Sequence, residues 1–379
     1  MLPAPTEGDS VLSPRGSFDP ALPLSSIPCA VEDELRGFFE RREAMVADIG
    51  SPVVMSVGHL QKFVLSGGKR IRPLYGWAGF IGAGGLAKGE EDPGAVLRAV
   101  SSLEFIQACA LIHDDIIDAA DTRRGNPTVH RAVEADHRRR ELRGAAETFG
   151  RNVAILAGDL ALVWAEDMWR ESGVSGAALE RAHDAWRGMR TEVIGGQILD
   201  ISLEAAGDES IELANKVNRY KTAAYTIERP LHLGAAIAGA DERTIAAFRG
   251  YGHDIGIAFQ LRDDLLGVFG DSALTGKPAG DDLREGKRTV LLALALQDLD
   301  ATDPAAAQEL REGVGHVSEP AELKRLSAII EATSAVEGVE KRIAELTESG
   351  LRYLDHAGMT GEVADTLRDL AVKATSRRA

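Results

Sequence analysis

Apolar side chains recur every three or four residues along nearly the whole chain, the spacing that gathers them on one face of an α-helix. The pattern predicts helices near residues 31–48, 52–65, 71–82, 95–118, 151–172, 177–205, 210–239, 242–268, 288–299, 305–313, 320–332, 336–356 and 361–376. Ala, Leu, Glu and Arg, all strong helix formers, fill these segments. Asp241, just before Glu242 and Arg243, reads as an N-cap. Period-two runs are nearly absent, aromatic residues are only 5%, and no Asn-Gly or Asp-Gly pair marks a tight hairpin. The expected fold class is therefore all-α. Gly-rich or charged breaks fall at 82–94, 121–127 and 270–286. The first, GAGGLAKG, approaches a dinucleotide fingerprint, but it follows a helix where that motif needs a strand, so it reads as a loop.

Composition narrows the picture. Hydrophobic residues make up 44% of the 379 positions, enough for a sizeable core. Residues 1–28 hold six of the 14 prolines with no basic and no continuous apolar stretch, so 1–30 reads as a disordered or loosely packed leader before a single domain over 31–379. The net charge of −16 argues against a nucleic-acid partner and against docking on anionic lipid, so an anionic ligand must be held by a local device. The run 153–165 is broken by Asp159 and too short to cross a bilayer, and no transmembrane segment is expected. Two cysteines, Cys29 and Cys109, form no disulfide framework and favour a reducing, cytoplasmic setting.

The sharpest local feature is LIHDDIIDAADTRRGNPTVH at 111–130. On a helix Asp114 and Asp118 share a face with Asp115 beside them. Like charges packed this closely repel unless a hard divalent cation sits between them, and oxygen-only ligands favour Mg²⁺, which keeps waters and bridges to substrate phosphates. An acidic helix end can also be a solvated cap, but Leu111, Ile112, Ile116 and Ile117 place these carboxylates against apolar surroundings. Arg123 and Arg124 follow directly, fixed cations suited to phosphate oxygens. A second acidic pair, Asp263 and Asp264, lies one turn after Gln260 in IAFQLRDDLLGVFGD. Further cations stand at Lys69, Arg70 and Arg72 in SGGKRIRP, at Lys221 beside Thr222, and at Lys277 and Lys287 in GKPAGDDLREGKRT.

The order GGKRIRP, QACALIHDDIID, DTRRGNPTVH, AGDLAL, GGQILDI, YKTAAYT, AFQLRDDLLG and GKPAGDDLREGKRT resembles the trans-polyprenyl diphosphate synthase family over roughly residues 35–376, most of all bacterial geranylgeranyl diphosphate synthases. The resemblance implies the isoprenoid synthase-type helical bundle around a central cavity, in a homodimer. It implies that Asp114, Asp115, Asp118, Asp263 and Asp264 hold several Mg²⁺ ions on an allylic diphosphate. Arg123, Lys221, Gln260, Lys277 and Lys287 would bind that diphosphate, and Thr222 would stabilise the developing cation. Lys69, Arg72, Gln107 and Arg124 match the positions that bind isopentenyl diphosphate, Gln107 standing where many members have His.

The second aspartate motif departs from the family: Gly267 stands where a third carboxylate is usual, and Asp271 is the nearest alternative. Product length is expected to be set one turn below Asp114, at Cys109 and Ala110, with Leu103 and Phe105 deeper still. Both near residues are small, which points to a C20 product. Farnesyl or longer products, a class I terpene cyclase, which would not need the Lys69, Arg72 and Gln107 set, and a non-catalytic synthase subunit are the competing readings.

Overall fold

The computed structural model describes residues 18–270 and 279–376. Its elements, numbered along the chain, are α1 (Ile27–Ile49), α2 (Ser51–Leu65), α3 (Ile71–Gly82), α4 (Gly85–Lys88), α5 (Pro93–Ser101), α6 (Leu103–Ile117), α7 (Val129–Arg139), α8 (Ala146–Arg170), α9 (Gly176–Ala206), α10 (Ile211–Val217), α11 (Arg229–Ile237) and α12 (Glu242–Phe269). Beyond these come α13 (Asp281–Glu285), α14 (Val290–Thr302), α15 (Pro304–Gly313), α16 (Pro320–Glu331), α17 (Ala335–His356) and α18 (Gly361–Thr375). The described residues are thus all-α apart from one two-residue hairpin. Asp241 caps α12 as expected, its Oδ1 accepting the Thr244 amide at 2.8 Å.

The helices enclose a cavity. α6 packs on α8, while α9 and α12 both pack on the segment 218–228 that runs between them. Two apolar clusters brace this ring. In one, Phe38 and Phe39 of α1 meet Phe105 of α6 and Trp164 of α8, with Phe38 and Phe105 centroids 5.1 Å apart. The other joins Leu261, Leu265 and Val268 of α12 to Leu291, Leu296, Val339 and Ile343.

The structure corrects the sequence reading in five places. Within the stretch 1–30, expected to be disordered or loosely packed, residues 18–30 pack on the fold: Leu24 and Ile27 are buried and Phe18 stands edge-on against Trp77, while 1–17 lie outside the described residues. The predicted helix 95–118 is interrupted at Ser102, where the Ser101 and Ser102 hydroxyls donate to the Leu97 and Ala99 carbonyls and bend the chain. This stretch, Pro93–Ile117, and not 153–165, is the apolar run with the length and composition of a bilayer span, and 78% of its apolar window is buried in the protein. Helix α7, unassigned from the sequence, carries a polar face that pairs Arg131 and Arg138 with Glu134.

The fourth correction lies at 210–239, predicted as one α-helix. Residues 218–228 instead form a π-helix, a widened turn that recurs at functional sites. Two glycines admit it: a Cβ on Gly196 would stand 2.3 Å from the Lys221 amide nitrogen, and one on Gly256 2.5 Å from the Ala223 Cβ. The fifth is the hairpin pairing Thr122 with Pro127 and Arg123 with Asn126. Its two central residues, Arg124 and Gly125, have φ of +53° and +74°, the geometry usually supplied by Asn-Gly.

Candidate active site

The C-terminal turn of α6 carries the first acidic wall. Asp115 is 1% exposed and receives the Arg123 Nε at 2.6 Å, while Arg123 Nη2 reaches Asp114 at 3.2 Å. The hairpin makes this possible by folding Arg123 back over the helix that precedes it. Burial pushes the Asp115 carboxyl up to about 6, against the pull of Arg123. Burial also works against ionisation of Asp114, but Lys221, Arg123 and Lys287 outweigh it and hold its carboxyl below the usual range.

Two lysines reach the same wall from other elements. Lys221 of the π-helix lies 3.1 Å from Asp114 and 2.5 Å from Asp200. Lys287 lies 3.0 Å from Asp118, 3.0 Å from Glu204 and 3.6 Å from Asp200. Both ammonium groups pay for desolvation yet are held well charged by these carboxylates. Gln197 completes the set by donating to Asp114 Oδ1 at 3.2 Å.

The second wall is on α12. Asp263 and Gly267 border the cavity, and Gln260 Nε2 donates to Asp264 Oδ1 at 2.8 Å. Asp264 is 2% exposed, and its Oδ2 is buried without a hydrogen-bond partner. Burial, then Asp282, raises its carboxyl well above the ordinary value, with Gln260 opposing.

A cationic corner adjoins the first wall. Arg72 donates to Thr226 Oγ1 at 2.8 Å and lies 4.1 Å over the Tyr225 ring, which fixes the plane of its guanidinium. Lys69, Gln107 and Arg124 open onto the same space. Burial, together with Arg123, Arg70 and Arg72, makes the Arg124 cation less favourable, despite Glu104; such crowding of like charges suits an anionic ligand. Arg70 turns away, its Nη1 committed to Glu104 at 2.7 Å.

Most of these groups share one cavity of about 1610 Å³, while Asp264, Lys287, Asp200 and Glu204 stand behind its lining. Asp114, Asp115, Asp118, Arg123, Arg124, Lys69, Arg72, Gln107, Lys221, Thr222, Gln260 and Asp263 all line it, as do Cys109 and Ala110 below the first wall. Lys277 and Asp271 lie outside the described residues. Below the polar rim the walls are apolar, from Ile106, Leu162, Val193, Ile194 and Ile198. Leu103 and Phe105 do not line the cavity: both are fully buried, Phe105 against Phe38 and Trp164.

The sequence profile of the family described as polyprenyl synthetase matches residues 56–332. The chain belongs to that family. It is 34% identical over 284 residues to a geranylfarnesyl diphosphate synthase of Aeropyrum pernix, covering 74% of this chain and 80% of that one. It is 30% identical over 315 residues to a (2E,6E)-farnesyl diphosphate synthase of Mycobacterium tuberculosis, covering 82% and 80%. Among solved structures it matches geranylgeranyl pyrophosphate synthase from Corynebacterium glutamicum, complexed with isoprenyl diphosphate and magnesium, at TM-score 0.92 and 62% identity, covering 94% of this chain and 100% of that one. The polyprenyl synthetases are prenyltransferases of the isoprenoid synthase fold and depend on a divalent metal, and these relatives differ from one another in product length.

The residues present fit such a metal. Asp115 Oδ2 and Asp264 Oδ2, one on each wall, are buried without a hydrogen-bond partner, and every acidic donor is oxygen. Among the described residues no three carboxylates converge on one point, which suits an ion that takes one or two carboxylates and fills its shell with water and phosphate oxygens. Asp200, Glu204 and Gln197 were given no role from the sequence. The signal was there in GGQILDI: residues 197, 200 and 204 fall at helical spacing on the α9 face that meets Lys221 and Lys287.

Proposed function

We propose that the chain is a Mg²⁺-dependent elongating prenyltransferase that condenses isopentenyl diphosphate with allylic diphosphates, with geranylgeranyl diphosphate (C20) as product. One observation carries this reading: two acidic walls, two groups of cations and an apolar space that Cys109 and Ala110 leave open below the first wall meet in one cavity. When bound, Mg²⁺ would neutralise charge developing on the departing diphosphate. Arg123, Lys221 and Lys287 are placed to hold that diphosphate, and Lys69, Arg72, Gln107 and Arg124 to hold the second substrate. The apolar walls exclude water from the allylic cation, and Thr222 offers its oxygen without being an activated nucleophile. His113, the histidine that borders the cavity, is engaged by the Ile155 carbonyl at 3.0 Å and by Asp159, so the released diphosphate is the base that takes the proton lost on condensation.

The C20 assignment is supported by Cys109 and Ala110, whose small side chains leave the tunnel open one turn, about 6 Å, below Asp114. The test is to supply the purified chain with Mg²⁺ and farnesyl diphosphate, with and without isopentenyl diphosphate, and to size the dephosphorylated products. Geranylgeraniol that appears only with the second substrate supports the reading. A cyclic hydrocarbon formed without it favours a cyclase, and no turnover favours a non-catalytic subunit.

A homodimer belongs to the same proposal. Phe149, Leu156 and Val163 of α8, each seven residues apart, are 41%, 66% and 56% exposed, a stripe suited to a helix–helix seam with a second copy. Leu156→Glu should convert the dimer to monomer in sedimentation; a monomeric wild type removes this part. Both cysteines are unpaired in the structure, in keeping with the cytoplasmic setting.

A further inference from the structure

The second acidic wall lacks a side chain at its third position, yet the space there is filled. A Cβ on Gly267 would stand 2.0 Å from Asp282 Oδ2, 2.3 Å from its Cγ and 2.7 Å from its Oδ1. Asp282 therefore places its carboxylate in the volume that a side chain at 267 would need. Gly267 lies one turn after Asp263, so this volume is on the Asp263 face of α12. Glycine inside a helix costs about 1 kcal/mol relative to alanine, and no left-handed backbone angle requires it here. Close approach of Asp282 is the physical reason for it.

We propose that Asp282, delivered by α13, supplies the carboxylate that position 267 does not, and completes the metal-binding wall with Asp263 and Asp264. The proposal rests on the Mg²⁺-dependent reading given above. Asp263, Gly267 and Asp282 border the same cavity. The neighbouring Asp281 receives Arg284 Nε at 3.1 Å, and Asp282 stands against α12 at Gly267. On the same helix Asp264 is 2% exposed, and its Oδ2 is buried without a hydrogen-bond partner. Because no three carboxylates converge among the described residues, the ion would complete its shell with water and diphosphate oxygens.

Mn²⁺ titration followed by electron paramagnetic resonance, in the presence of inorganic diphosphate, counts bound ions and their affinities without turnover. Wild type should bind several ions, and Asp282→Asn, nearly isosteric, should lose one or bind it at least tenfold more weakly. Gly267→Asp combined with Asp282→Gly, which moves the carboxylate onto α12 and clears the clash, should regain it. Unchanged Mn²⁺ binding by Asp282→Asn overturns the proposal, as does a double variant of native circular dichroism that stays at the Asp282→Asn level. If the double variant does not fold, the single variant decides. Asp114→Asn separates the two claims: loss of ions there but not in Asp282→Asn sinks only this inference, while a wild type that binds no Mn²⁺ sinks the metal-dependent reading as well.

Discussion

Asp200 Oδ2 lies 2.5 Å from Lys221 Nζ, and the same oxygen lies 3.6 Å from Lys287 Nζ. One buried carboxylate of α9 thus tethers two cations that also touch the first acidic wall. Lys221 and Lys287 also pair with Asp114 and Asp118. With Mg²⁺ held by those aspartates, Asp200 and Glu204 would keep the two lysines placed for the diphosphate. Asp200→Asn should therefore lower activity by roughly ten- to a hundredfold, the usual effect of a residue that orients others. It should also cost about 1–3 kcal/mol of stability. Steady-state kinetics and urea denaturation check the two parts, and a variant with native kinetics removes the tethering role.

Arg72 is fixed by Thr226 and Tyr225 in the cationic corner that adjoins the first wall. Arg72→Met should raise KM for isopentenyl diphosphate by at least tenfold, the equivalent of about 1.4 kcal/mol, and leave KM for the allylic diphosphate nearly unchanged. Equal rises in both would show that the two diphosphate sites are not distinct.

Ala110 faces the tunnel below Asp114. Ala110→Phe should shorten the main product from C20 to C15, as read by chromatography of the dephosphorylated alcohols. Because the new ring enters an open cavity and not the packed side of α6, the stability cost should stay below the about 1–3 kcal/mol of overpacking. An unchanged C20 product would place the floor elsewhere.

The pattern of apolar positions made the helical class legible, and the eight ordered motifs made most of the site legible, because metal and phosphate chemistry restricts which residue types can stand there. Four features escaped. The π-helix depends on Gly196 and Gly256 coming against it from other helices, a tertiary cause that local periodicity does not carry. The hairpin uses Arg124 in a left-handed conformation, held by the Thr122–Pro127 and Arg123–Asn126 pairing and by Arg123's bond to Asp115, and not by its own preference. Asp282 reads as an ordinary helix-start carboxylate until the fold brings it against Gly267. The packing of residues 18–30 escaped for a simpler reason: proline-rich composition concealed Phe18, Leu24 and Ile27, whose burial needs partners far along the chain.

His232 gives a pH dependence independent of the metal site. Burial, then Arg229 and Arg249, lower it from 6.5 to about 4, with Asp184 and Glu192 opposing. Above pH 6.5 it is neutral in both the folded and unfolded chain and has no effect. As pH falls from 6.5 to 4 the unfolded chain takes a proton that the folded one refuses, so stability drops by roughly 2–3 kcal/mol. His232→Gln should flatten this part of the profile, read as the difference between wild-type and variant urea midpoints at pH 7 and pH 4.5. Parallel profiles would contradict it.

The central claim is that an allylic diphosphate is gripped by Mg²⁺ between the α6 and α12 walls with its hydrocarbon tail in the tunnel. A crystal structure with Mg²⁺ and a non-hydrolysable allylic thiodiphosphate tests it directly. The account predicts metal density on Asp114, Asp118 and Asp263, diphosphate oxygens near Arg123 and Lys221, and the tail running past Ala110. A diphosphate bound elsewhere, with both walls free of metal, would contradict it.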